Sequence, residues 1–81
     1  MTLTQFKYLV SVMENKLNIS LAADSSNTSQ PGISKQIKLL EEELGAYIFV
    51  RKGKKLTGIT PFGEEVAYYA KKILQDVSNI R

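Results

Sequence analysis

The sequence predicts a mainly α fold: three short helices, a two-stranded hairpin and a long final helix. Three observations predict it. Apolar residues recur at spacings of three and four in residues 3–17 and again from Ile33 to Leu44. Aromatic and β-branched residues flank a basic turn at Gly53. From Thr60 and Pro61 a second long helical pattern runs to Arg81.

The first helix carries Leu3, Phe6, Leu9, Val10, Met13 and Leu17 on one face. Asn18 then offers a side-chain oxygen as the N-cap of "ISLAADSS", a short second helix. Ala22 and Ala23 inside it are small, so a neighbouring helix can approach closely. The polar cluster "SSNTSQ" reads as a turn, with Thr28 or Ser29 as the next cap. Helix, tight turn and helix give a helix-turn-helix outline.

The third helix, "TSQPGISKQIKLLEEELG", has its charges reversed. Lys35 and Lys38 lie in its first half, and Glu41, Glu42 and Glu43 lie in its last turns. The helix dipole favours the opposite order by roughly 0.3–1 kcal/mol per charge. On a helical wheel Ile33, Ile37, Leu40 and Leu44 fall within about 40° of one another and form the buried face. Pro31, Ser34, Lys35 and Lys38 fall on the other side, and Gly45 closes the helix. A solvated face is the bland explanation. A recognition helix explains the sorting better, because it enters the DNA major groove N-terminal end first. Lysines near that end meet the polyanion, and the acids at the far end escape it. Pro31 is tolerated in a first turn, and Gly32 permits close approach to a backbone.

"YIFVRKGKKLTGIT" reads as a hairpin with a basic tip. In isolation a charged turn means little; a dozen residues after a helix-turn-helix it becomes a wing. Arg51, Lys52, Lys54 and Lys55 could reach phosphates or a minor groove, and hairpin register decides which of them does. In the last helix Val66, Ile73 and Ile80 repeat every seven residues, with Tyr69 or Ala70 and Val77 between them. This heptad-like seam packs on its own domain or pairs with a second copy. Pairing would set two recognition helices on one face of a duplex, about 34 Å or a multiple apart. The whole is a winged helix-turn-helix: residues 1–59 form the DNA-binding domain and 60–81 a linker helix for dimerisation. No terminating glycine or proline precedes Arg81, and the expectation is a piece of a longer protein.

Composition narrows the function classes. Eighty-one residues suit one small domain. No apolar run approaches the roughly 18 residues of a membrane span, and "MTLTQFKYLV" lacks a secretory pattern. Cysteine and histidine are both absent. Disulfides, thiolate or imidazole metal sites, and Cys–His or Ser–His–Asp devices are therefore excluded. The eight acids, Glu41 among them, sit in polar, helix-like settings. Neither an enzyme nor a cofactor is expected in this chain. The net charge is only +3, but "RKGKK" concentrates four positive charges in five positions.

The run "SQPGISKQIKLLEEELG", followed by "IF-R" and "LT--TP-GEE", resembles the N-terminal DNA-binding domain of LysR-type transcriptional regulators. The resemblance covers essentially all 81 residues. "LNIS", "TSQPGISKQ" and "RKGKKLTGITP" look most like the branch that activates cysteine biosynthesis and sulfur assimilation. The resemblance implies a bacterial, cytoplasmic regulator, at the nucleoid when bound to DNA. It implies a homodimer through the last helix, tetramers in the full-length protein, and a C-terminal effector-binding domain outside this chain. Gln30, Pro31, Ser34 and Lys35 would contact bases or the adjoining backbone. Thr28, Ser29 and Lys38 would hold phosphates, and Lys52 to Lys55 would approach the minor groove. Two positions depart from the pattern. Lys35 replaces a common arginine and lacks its rigid fork for guanine. Ser26 replaces a common leucine, which predicts looser packing between the second and third helices. The alternative outside this class is a protein-interaction winged helix that uses the last helix for assembly.

Overall fold

The computed structural model describes residues 1–81. Helices α1 (Leu3–Glu14), α2 (Ile19–Ser25) and α3 (Gln30–Leu44) are followed by strands β1 (Phe49–Lys52) and β2 (Lys55–Ile59) and by helix α4 (Pro61–Ile80). The expected winged helix-turn-helix architecture is present, with α2 and α3 as the helix pair and the antiparallel β1–β2 ribbon as the wing.

Each helix starts on a hydrogen-bonded cap, a device worth about 1 kcal/mol. Thr2 and Gln5 form a reciprocal capping box on α1, from a T-x-x-Q pattern that lies outside the apolar periodicity. Asn18 Oδ1 accepts the Leu21 N–H at 3.0 Å. Of the two candidate caps for α3, Ser29 does the work: its Oγ accepts the Gly32 N–H at 3.0 Å. Thr60 accepts the Gly63 N–H at 2.9 Å, with Pro61 in the first turn as expected.

The first helix ends three residues earlier than its apolar pattern suggests. Lys16 and Leu17 adopt left-handed backbone angles (φ 56° and 66°) and turn the chain toward the Asn18 cap. Leu17 still packs on the core, as a turn residue rather than a helical one. Asn27 (φ 53°) makes the corresponding reversal between α2 and α3, a conformation asparagine tolerates. Ser26, at the end of α2, turns its hydroxyl toward α1. Its Oγ lies 3.3 Å from Ser11 Oγ on α1, and that hydroxyl reaches the Ala22 carbonyl.

The core gathers Phe6, Leu9 and Val12 from α1, Ala22 and Ala23 from α2, and Ile33, Ile37 and Leu40 from α3, closed by Ile48, Phe49, Ala67 and Ala70. Ala70 therefore corrects one expectation. It is fully buried in the chain's own core and is not available to a pairing seam. Its small side chain, with Ala67 and Gly63, lets α4 lie close on the domain. A Cβ on Gly63 would come 2.1 Å from the Ile48 carbonyl oxygen, so this helix start accepts only glycine without backbone displacement.

Glu41 corrects a second expectation. It is 5% exposed, not one of the solvated acids at the end of α3. Its Oε2 accepts the backbone N–H groups of Ile48 (2.7 Å) and Phe49 (3.2 Å). Arg51 completes the set in bidentate fashion, Nη2 to Oε1 at 2.8 Å and Nη1 to Oε2 at 3.1 Å. The Arg51 side chain is 32% exposed, so the pair is only partly buried and breaking it costs less than the roughly 3–5 kcal/mol of a fully buried pair. Glu41→Ala also orphans two buried backbone donors, which cost roughly 1–3 kcal/mol each. Urea denaturation should show Glu41→Ala destabilised by about 3 kcal/mol or more. Arg51→Ala should lose distinctly less, because its side chain is 32% exposed and the carboxylate keeps its backbone donors. Equal losses would mean that the backbone donors contribute little.

Candidate nucleic-acid interface

The register of the wing decides what it presents. Phe49 pairs with Ile59, Val50 with Gly58, Arg51 with Leu56 and Lys52 with Lys55. The register shifts between Val50 and Arg51, which leaves Thr57 as the extra residue of a bulge. Without it Leu56 would share a face with Lys52; with it Leu56 returns to the face of Phe49 and Arg51. Arg51 therefore turns inward to Glu41, unlike the three lysines with which the sequence groups it. Lys52 and Lys55 lie directly opposite each other on the outer face. Gly53 (φ 63°) and Lys54 make the two-residue tip.

Between α3 and the wing lies a groove of about 800 Å³. Gln30, Pro31, Ser34, Ile37, Lys38 and Glu41 line it from α3, Arg51, Gly53, Lys54 and Leu56 from the wing, and Ile19 and Tyr47 complete the lining. The structure thus brings together Gln30, Pro31, Ser34, Lys38, Arg51 and Lys54 among the sequence-predicted residues. Thr28, Ser29, Lys35, Lys52 and Lys55 lie outside the groove lining. Lys35 is exposed on α3, Thr28 is half-buried at its entrance, and Lys52 and Lys55 face outward on the wing.

Local hydrogen bonding prepares several of these groups. Ser29 Oγ accepts its cap bond, which leaves its hydroxyl hydrogen free to donate outward. Gln30 Nε2 donates to Ser20 Oγ on α2 at 3.1 Å, which steadies the amide at the start of α3. A Cβ on Gly32 would lie 2.9 Å from Thr28 Oγ1, so glycine lets the turn close tightly over the helix start.

The unpaired charges that line the groove have one sign. The only ion pairs in the structure join Arg51 to Glu41 and the N-terminal ammonium to Glu43. Lys35, Lys38, Lys52, Lys54 and Lys55 have no acidic partner. Lys52 and Lys55 also face each other across the ribbon, an arrangement that like charges make unfavourable. The groove and its flanks form an unneutralised cationic surface around a helix N-terminus, suited to a polyanion.

Two residues that matter here lie outside the sequence-predicted site. Glu41 fixes the wing to α3, and Tyr47 is an exposed residue of the groove lining. No local signal marks Glu41, because its partner Arg51 reads as the first base of the run "RKGKK".

On α4 the expected seam divides into two faces. Tyr69, Ile73 and Ile80 are exposed (54%, 37% and 86%), and Phe62 joins them (37%). Val66 and Val77 are half-buried between this stripe and the domain's own core.

Residues 3–64 match the family of bacterial regulatory helix-turn-helix proteins of the lysR type. The chain belongs to the LysR family. Among its relatives are the transcriptional regulator CysB of Haemophilus influenzae, 44% identical over 81 residues, and SsuR of Burkholderia cenocepacia, 41% identical over 81 residues. Each alignment takes in the whole of this chain but only 25% and 26% of those relatives, so the chain spans about a quarter of their length. These relatives are regulators, not enzymes.

Solved LysR-family structures share the fold. A BenM DBD in complex with benA site 1 DNA superposes with a TM-score of 0.89 at 36% identity, covering 99% of this chain and 88% of that one. A CbnR DBD–DNA complex gives 0.88 at 30% identity, covering 98% and 88%. Full-length OxyR of Pseudomonas aeruginosa gives 0.91 at 37% identity, covering this chain fully and 27% of that one.

The wing of this LysR-family domain carries a stability cost that one substitution should relieve. Lys55→Glu turns a like-charge cross-strand pair into an opposite-charge one, worth a few tenths of a kcal/mol at an exposed site. Thermal unfolding at low salt should show a small rise in Tm, and the rise should vanish at high salt. A fall in Tm at low salt would mean that the Lys52–Lys55 pairing is not strained.

Proposed function

We propose that this chain is the sequence-specific DNA-binding domain of a LysR-type regulator of sulfur assimilation and cysteine biosynthesis genes. The observation that carries the DNA reading is the cationic groove between the first turns of α3 and the wing, whose lysines have no partner in the protein. Kinship with DNA-bound LysR-family domains supports the same reading. The CysB and SsuR relatives support the sulfur branch.

In this reading α3 enters the major groove with its N-terminal half. Gln30 pairs with adenine, Lys35 donates to guanine O6 and N7, Pro31 meets a thymine methyl, and Ser34 contacts base or adjoining backbone. Thr28, Ser29 and Lys38 hold phosphates. Lys52, Lys54 and Lys55 approach the minor groove, and Arg51 acts chiefly through Glu41 to aim them. Most of the affinity comes from phosphates and the sequence preference from the few base contacts.

Residues 60–81 form the linker helix of a homodimer, through Tyr69, Ile73 and Ile80 with Val66 and Val77 beside them. Phe62 extends that stripe. In the longer protein this domain precedes an effector-binding domain, dimers pair into tetramers, and the site of action is cytoplasmic DNA.

Fluorescence anisotropy against duplexes of promoter and scrambled sequence, over a salt series, tests the central claim. Lys35→Ala should cost roughly 1–3 kcal/mol on the preferred site and relax base preference at one position. Lys54→Ala should weaken binding to all duplexes alike and reduce the salt slope by about 1. If both variants lost the same on preferred and scrambled DNA, the role given to α3 would be wrong. For the dimer, Ile73→Glu should leave helicity intact and shift the sedimentation coefficient to that of a monomer. A dimer that survives this change pairs through some other surface.

A further inference from the structure

We infer that Tyr47 is a phosphate ligand of the DNA interface, its phenol O–H donating to a backbone oxygen of the duplex that lies along the groove. This rests on the DNA-binding reading above and adds to it a residue from neither the recognition helix nor the wing ribbon.

Tyr47 is 72% exposed, more than any other aromatic residue of the chain. Packing does not account for it, and its phenol has no hydrogen-bond partner within the protein. It lines the groove together with Gln30, Ser34, Lys38 and Lys54. Tyr47 also lines a smaller hollow with Lys38, Glu41 and Glu42, and the Glu42 carboxylate there makes the larger groove the more favourable side for a phosphate. The nearby Glu41 carboxylate is already neutralised by Arg51 and two backbone N–H groups.

The backbone that carries Tyr47 is held on both sides. Its carbonyl accepts the Thr60 hydroxyl at 2.6 Å, and the next N–H, from Ile48, is bound by Glu41 at 2.7 Å. A side chain with two soft torsions on a doubly anchored backbone loses little freedom on binding. A neutral hydroxyl donor in a groove that Lys38 and Lys54 also line adds directional phosphate binding without adding charge.

That difference in charge provides the test. The 81-residue chain and its Tyr47→Phe, Tyr47→Ala and Lys54→Ala variants are titrated onto a duplex of random sequence at several salt concentrations. Tyr47→Phe and Tyr47→Ala should each lose about tenfold in affinity, the scale of one hydrogen bond to a charged group. Their slope of log K against log salt should match the parent's, since a neutral donor releases no counterion. Lys54→Ala is the contrast: it should lose affinity and flatten the slope. Parental binding by Tyr47→Phe overturns the inference, and if Tyr47→Ala alone is weak, the ring stacks rather than donates. In those two cases the DNA reading stands. If the parent itself fails to bind at low salt, the DNA reading falls and the inference falls with it.

Discussion

A single buried carboxylate sets the spacing between the two halves of the interface. Glu41 leaves α3 three turns after its cap and receives the backbone N–H groups of Ile48 and Phe49 as the chain enters the wing. Arg51, two residues further, returns its guanidinium to the same group. Four donors thus converge on one side chain, which satisfies it in a place where an unpaired charge would be prohibitive. The ribbon cannot pivot on α3 without breaking several of these bonds together. Thr60 holds the other side of the ribbon base through the Tyr47 and Ile48 carbonyls and also caps α4. The recognition helix, the wing and the long last helix are therefore tied within one short stretch, residues 47 to 63.

The surface that this frame presents departs from what stability alone would select. α3 has lysines in its first half and no base in its last turn, against its own dipole. The wing sets Lys52 opposite Lys55. Both costs are a fraction of a kcal/mol to about one, and both point the same way. A polyanion turns each from a penalty into a contact, and departures of this kind concentrate at functional sites.

The architecture was legible in the sequence because it rests on local signals. Apolar spacing marks the helices, Asn18, Ser29 and Thr60 cap them, and Gly45 and Gly53 mark a helix end and a turn. What stayed hidden depends on long-range partners. The sequence places Glu41 with other acids at a helix end and Arg51 with other bases at a wing, and nothing local says that the two meet. The bulge at Thr57 is equally silent, yet it separates Arg51 from the outward lysines. Ala70 fits a heptad as well as Tyr69 does; only the approach of α1 shows that the small residue faces inward. Tyr47 reads as a strand residue by composition, but it lies before β1, outside the ladder that would have fixed its face.

The last helix carries two apolar faces because its apolar residues occupy two sectors. On a helical wheel Gly63, Ala67, Ala70 and Leu74 centre roughly 110° from Phe62, Tyr69, Ile73 and Ile80. The first sector is small and buried against the domain; the second is large and exposed. Small residues inward bring the helix axis close to α1, and Gly63 brings its start against the Ile48 carbonyl. The direction of α4 is therefore fixed by the same stretch that fixes the wing. In the proposed dimer a partner docking on the outer sector would meet a helix already aligned with its own reading surface. The separation of two recognition helices would then follow from packing within each chain, with no flexible joint between the assembly face and the groove.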